Sequence, residues 1–354
     1  MRDFALAAEV EELRAAADRL ARRELAPAVR DSEAAGRWPD EVLAVLRGFP
    51  LGGLDLPARL GGVEAGLVAK AAVLETLAHA DAGGLAAADQ PGSAAGALDA
   101  CPDHALAAEI AGACLEGAAQ CAFTVRDREM PAAQLDWAPS WPALRWVWVS
   151  DGDDLVLLEA TGEPTPGLAL AFQASGAVTL PYSQTGERGR WTLSPREALA
   201  VRGRARLWGA AVAVGVSQAA LEETIEYTTE RIVFGKPVAH HQGNAFDLAA
   251  AAAGVHAARL VVRDAAAAFD RGEPDAGFWA TQAWLETMDA AFTATNVGIQ
   301  LLGGHGFIVD HLAEKRFREA RMLALAAGAR DAAEHDAASH VLDVPDALLA
   351  SLER

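Results

Sequence analysis

The run EYTTERIVFGKPVAHHQGNAF at residues 226–246 lies between long alanine-rich stretches of helical period, and its reading decides the fold. Taken residue by residue, Arg231 is a solvated charge on a helix, and Phe234-Gly235-Lys236-Pro237 is a helix end where proline turns the chain. Residues 205–230 before it, and 243–271 and 276–302 after it, place apolar side chains at helical spacing. In the last stretch Phe278, Leu285, Met288, Phe292, Ile299 and Leu302 mark one predicted apolar face, and Gly303-Gly304 ends it. The C-terminal part therefore reads as a bundle of long helices.

Toward the N-terminus the texture changes. Between about 119 and 197 short runs rich in Val, Leu and Trp, such as RWVWVS, then DGDD, then LVLLEA, predict a hairpin, and GLALAF (167–172) and GAVTLPY (176–182) add strands. Before that, EVEELRAAADRLARRELAPAV sets Val10, Leu13, Ala17 and Leu20 on one stripe that Pro27 limits. LGGLDLPARLGG (51–62) reads as a loop, and VAKAAVLETLAHADAGG (68–84) as a helix with a glycine stop. The expected class is α+β, mostly α, in three units: a helical domain at 1–118, a small β domain at 119–197 and a helical bundle at 198–354.

Just over half of the 354 residues are apolar, enough for a substantial core, and a formal charge of −19 opposes nucleic acid as a partner. The densest basic cluster, VRGRAR at 201–206, reads as flanking a helix start. Cys101, Cys114 and Cys121 show neither a disulfide framework nor metal-ligand spacing, which fits a reducing compartment. The opening MRDFALAAEVEELR lacks the pattern of a signal peptide, and LWGAAVAVGVSQAAL (207–221) is too short to span a bilayer; a cytoplasmic protein without membrane contact is expected.

Three segments in order, 226–246, GIQLLGGHGF (298–307) and EKRFREARML (314–323), resemble the C-terminal domain of the acyl-CoA dehydrogenase family. Arg231, Phe234-Gly235-Lys236-Pro237, Gln242, Gln300, Gly303-Gly304 and the REAR at 318–321 carry the resemblance. Weaker agreement lies in LPARLGG and VLETLAHADAGG of the first unit. The resemblance implies a helical N-terminal domain, a barrel-like β domain and a four-helix bundle, assembled as a tetramer. It also implies FAD, with a carboxylate taking the α-proton of an acyl-CoA thioester while the flavin accepts the β-hydride. In the family the Arg-x-x-Phe-Gly-Lys and Gln-x-x-Gly-Gly runs reach the adenosine diphosphate half of a neighbouring subunit's FAD. This assigns cofactor binding to Arg231, Phe234, Gln242, Gln300, Gly303 and Gly304: a guanidinium suits a diphosphate, and glycines permit close backbone approach. Arg206 matches an arginine near the thioester end of the ligand; its bland reading is a helix-start charge.

The departures are as informative. The family's usual base is a glutamate in an E-G-T run after R-D-A-R, and Ala327-Gly328-Ala329 stands there; Ala205 stands at a second known location of the base. The flavin-contacting C-A-x-T-E-P-x-A-G-S-D becomes CAFTVRDREMP (121–131), which keeps Cys121, Ala122 and Thr124. Trp146 or Trp148 is the candidate for the family's flavin-stacking tryptophan, with core packing as the other reading. Losses on the chain's own side of the cofactor, with retention on the side serving a neighbour, resemble the heteromeric α2β2 enzymes of bacterial steroid side-chain degradation. The chain then reads as a base-less subunit beside a homologous base-bearing partner, with acyl-CoA as substrate and a steroid side-chain acyl group by analogy. Small residues Ala210, Ala211 and Gly215 would leave room for a bulky group. Two other readings stay open: a self-sufficient enzyme whose base is relocated, Glu319 and Asp331 being the nearest acids, and a non-enzymatic acyl-CoA or protein-binding scaffold.

Overall fold

The computed structural model describes residues 5–126, 134–139, 144–161, 165–166, 177–181 and 185–342; the GLALAF run at 167–172 lies outside them. The first helices are α1 (Ala8–Leu20), α2 (Val29–Ala35), α3 (Asp40–Arg47), α4 (Leu67–Ala80), α5 (Ala82–Ala88), α6 (Ala95–Ala100) and α7 (His104–Leu115). Gly83-Gly84 do not stop the second predicted helix. Asp81 does, with extended backbone at φ −164°, and its carboxylate caps α5 by accepting the Gly84 N–H at 2.6 Å. Gly84 serves packing instead, because a Cβ there would lie 2.6 Å from Leu25 and 2.8 Å from Trp38.

The strands are β1 (Gln120–Val125), β2 (Gln134–Pro139), β3 (Leu144–Asp151), β4 (Asp154–Ala160), β5 (Thr165–Pro166), β6 (Ala177–Pro181) and β7 (Thr185–Thr192). One sheet has the order β1-β3-β4-β7, with β1 parallel to β3 and the rest antiparallel; a second has the order β2-β6-β5. The predicted hairpin is β3–β4, closed by the pair Asp151 and Asp154. Alternation splits its residues between two faces. Trp146, Trp148, Leu155 and Leu157 pack with α6, α7 and the helix that follows the sheet, while Val147, Val149, Val156 and Leu158 pack on the other side.

That next helix, α8 (Pro195–Glu230), starts ten residues before the predicted 205. Ser194 and Glu197 form a reciprocal capping box with Pro195 at the first turn, a strong start that the spacing of apolar residues does not register. VRGRAR is therefore helix interior, with Arg202 and Arg206 buried, and does not flank a helix start. A two-residue ribbon, β8 (Ile232–Val233) and β9 (Lys236–Pro237), turns the chain into α9 (Gln242–Asp270), followed by α10 (Ala276–Leu302), α11 (Ala313–Leu323) and α12 (Ala329–Leu342). α8, α9 and α10 pack on one another, and α8 and α9 pack on α4. Length and composition alone would let α9 cross a membrane; here it is one wall of this bundle.

Two expectations for the bundle need correction. Phe292 lies off the apolar face, 42% exposed, with the Arg321 guanidinium 4.7 Å above its ring. Ala210, Ala211 and Gly215 leave no cavity: the alanines are fully buried, and a Cβ on Gly215 would fall 2.2 Å from the Glu75 carbonyl oxygen of α4. These small residues let two helices approach closely.

Candidate functional site

The loop between α11 and α12 has three successive residues with positive φ: Ala327 at 53°, Gly328 at 92° and Ala329 at 56°. Alanine gains nothing from this conformation, and each such residue costs about 1–2 kcal/mol. The surroundings hold it. A Cβ on Gly328 would lie 2.8 Å from Val125 Cβ, so the glycine lies tight against the end of β1. Ala327 is buried in the same apolar cluster as Ala205, Ala94, Ala95, Cys121 and Phe123. Ala205 and Ala327, the two alanines that the sequence reading sets at the base positions, are 122 residues apart in sequence and are buried in one apolar cluster.

The nearest acids are engaged elsewhere. Glu319 is buried against Lys315, which also binds Asp81; burial, with Asp81 adding to it, raises the Glu319 carboxyl to about 7 against the pull of Lys315. Asp331 is exposed on the first turn of α12. Neither belongs to the apolar cluster around Ala327.

Asp336 on α12 is a residue the sequence reading missed. Arg202 donates to its carboxylate at 2.9 and 2.7 Å, and Arg206 at 2.5 Å. Arg202 also donates to Ser150 Oγ and the Gly152 carbonyl at the β3–β4 turn, and Arg206 to Thr281 Oγ1 of α10. This buried hub ties α8, α10, α12 and the sheet together beneath the strained loop. Burial opposes the Asp336 charge, yet the two guanidiniums hold its carboxyl below the usual carboxylate range. Arg206 has no exposed surface; its Nη1 is bound within the hub, while Nε and Nη2 are buried without a hydrogen-bond partner among the described residues. No local sequence pattern marks Asp336.

At the far end of the bundle the residues are arranged differently. The Arg231 N–H donates to the Tyr227 carbonyl at 2.9 Å as α8 ends, and its exposed guanidinium has no ion-pair partner among the described residues. Phe234 turns the ribbon at φ 51° and is 94% exposed. Gln242 opens α9, Gln300 ends α10 in solvent, and Gly303 caps α10 at φ 60° with Gly304 equally open. The Tyr227 hydroxyl lies 2.8 Å from His305 Nδ1 and ties the last turns of α8, just before Arg231, to the turn after α10. A free guanidinium, a bare aromatic ring and an open glycine turn fit an anionic group with a planar base supplied from outside the chain.

The segment read as the chain's own flavin side is described only in part. Cys121, Ala122 and Thr124 are buried in β1, and Trp146 and Trp148 are core residues at 3% and 0% exposure. Residues 127–131 of the CAFTVRDREMP run lie outside the described residues.

Comparison with known proteins agrees across the chain. The acyl-CoA dehydrogenase N-terminal domain matches residues 7–115, and the acyl-CoA dehydrogenase C-terminal domain matches residues 198–342. A probable acyl-CoA dehydrogenase, fadE25, of Mycobacterium leprae is 29% identical over 357 residues, covering 90% of this chain and 92% of the relative. Among solved structures, butyryl-CoA dehydrogenase from Megasphaera elsdenii superposes with a TM-score of 0.80 at 19% identity, covering 96% of this chain and all of that one. The ChsE4-ChsE5 complex from Mycobacterium tuberculosis gives 0.82 at 18% identity, covering 97% and 100%. The two helical ends, the sheet between them and the relatives agree: the chain belongs to the acyl-CoA dehydrogenase family, whose members are FAD-dependent.

Proposed function

We propose that this chain is the base-less subunit of a heteromeric acyl-CoA dehydrogenase and completes the FAD site of a homologous, base-bearing partner. One contrast carries the reading. Ala205 and Ala327, which we read as the two base positions, are buried in an apolar cluster, whereas Arg231, Phe234, Gln300, Gly303 and Gly304 stand exposed, Phe234 with only an edge contact to His241.

When bound, FAD supplies the electron sink for the β-hydride of the acyl-CoA thioester. Arg231 would hold the diphosphate, Phe234 would cover the adenosine half, and the Gln242 and Gln300 amides would add hydrogen bonds. The Gly303-Gly304 turn admits close approach of the backbone. Exposed Ile232, Phe307 and Val309 beside these residues provide an apolar rim suited to a subunit contact. The α-proton passes to the partner's carboxylate, since this chain's alanines accept none.

The self-sufficient reading is weaker, because Glu319 is committed to Lys315 and Asp331 is on the surface. A scaffold without FAD would give no reason to leave a phenylalanine 94% exposed beside a free arginine. For the acyl group we carry forward a steroid side-chain thioester. The ChsE4-ChsE5 complex and the Tcur3481-Tcur3483 steroid ACAD share the fold, with TM-scores of 0.82 and 0.75. The test is Arg231→Ala in the co-expressed complex. Flavin content and activity should fall while the complex stays assembled, and unchanged values would overturn the proposal.

A further inference from the structure

The Tyr227–His305 contact belongs to a compact aromatic group. The rings of Tyr227, His305 and His311 lie 5.5–5.6 Å apart pairwise, by centroid. His311 is anchored to α8, with Nδ1 3.4 Å from Glu223, which also accepts from Arg316 at 2.5 Å and from the Leu312 N–H at 3.0 Å. His305 differs. It follows Gly303-Gly304 directly, is exposed, and its ring has Tyr227 as its only hydrogen-bond partner among the described residues. A phenol is a better donor than an imidazole N–H, and an imidazole nitrogen a better acceptor than a phenol oxygen. The 2.8 Å contact is therefore Tyr227 O–H donating to Nδ1, which leaves the proton on Nε2 at the exposed side of the ring.

The same tyrosine accepts the Arg231 N–H through its carbonyl. That is the ordinary i to i−4 bond closing α8 and sets Arg231 one turn beyond Tyr227; the phenol itself orients only the imidazole. We propose that Tyr227, one turn before Arg231 on α8, fixes His305 as a further donor, through Nε2–H, to the diphosphate or adenosine of the partner's FAD. This rests on the shared-site reading above and assigns to it a binding residue, His305, and a positioning residue, Tyr227.

The test is the affinity of the purified complex, stripped of flavin, for added FAD, read by quenching of flavin fluorescence. Assembly is checked by size-exclusion chromatography. Loss of a hydrogen bond to a charged group predicts about ten-fold weaker FAD binding for His305→Ala. His305→Gln, which can place an amide N–H near the position of Nε2–H, should recover most of it, and Tyr227→Phe should weaken binding with His305 intact. Arg231→Ala is the reference. If Arg231→Ala releases FAD while His305→Ala binds as wild type, or if His305→Gln is as weak as His305→Ala, the donor role fails and the shared site stands. If Arg231→Ala and His305→Ala both bind FAD as wild type, the shared-site reading fails with it.

Discussion

Replacing Asp336 by alanine removes the one carboxylate that holds Arg202 and Arg206, which are 5% and 0% exposed. Breaking a buried ion pair from one side costs about 3–5 kcal/mol, because the remaining charge stays desolvated without compensation. Here two guanidiniums are left, with only Ser150, the Gly152 carbonyl and Thr281 as remaining partners, so the upper part of that range is expected. Asp336→Asn keeps the shape and loses the charge, and should cost nearly as much. Urea unfolding at fixed protein concentration measures both, with Arg330→Ala as a surface control; the exposed Arg330–Asp289 pair should change stability by no more than about 0.5 kcal/mol. The pH dependence adds a second signature. A carboxyl held below its ordinary value of 3.8 contributes stability above that pH and loses it as pH falls through the depressed folded value. The gap between wild type and Asp336→Asn should therefore be full at pH 7 and narrow below about pH 4. A cost under about 1 kcal/mol for Asp336→Ala, or a gap that ignores pH, would refute the hub.

Three further outcomes follow from the geometry. Ala329→Gly should raise stability by about 1 kcal/mol, because φ 56° and ψ −170° suit glycine alone; a loss in denaturant unfolding would contradict the strain. Glu319, raised to about 7 from 4.5, binds a proton in the folded state earlier than in the unfolded one, so its contribution falls by on the order of 3 kcal/mol as pH rises from about 4.5 to 7. Glu319→Gln should flatten that slope, seen by chemical denaturation at pH 5 and pH 8. Phe234→Ala should leave the unfolding of the lone chain within about 0.5 kcal/mol, since the ring is 94% exposed, yet lower the flavin content of the complex; a large loss of intrinsic stability would make Phe234 a structural residue.

What the sequence reveals depends on how local the physics is. The turn at 231–237, the hairpin closed by DGDD and the Gly303 stop are legible because proline, glycine and periodicity act over a few residues. The residues proposed to face the cofactor are legible for the same reason, being charged, aromatic or glycine at an exposed turn. The true start of α8 had a local signal as well: Ser194, Pro195 and Glu197 spell the capping box, but charged Arg202, Arg204 and Arg206 interrupt the apolar period and hide the first turns. The role of Gly84 was hidden because its demand comes from Leu25 and Trp38, far along the chain. Asp336 was hidden more deeply: its partners are 134 and 130 residues away, so nothing near it distinguishes it from a surface acid. Likewise, only the folded chain shows that Ala205 and Ala327 share one buried cluster.

The central claim is an asymmetric, shared cofactor site, and the flavin stoichiometry tests it most directly. FAD per chain should be measured spectrophotometrically on the protein purified alone and again after co-expression with a base-bearing homologue. The account predicts no bound flavin alone and about one FAD per heterodimer in the complex. One FAD per chain in the lone protein would contradict it, because the chain's own flavin side would then be functional.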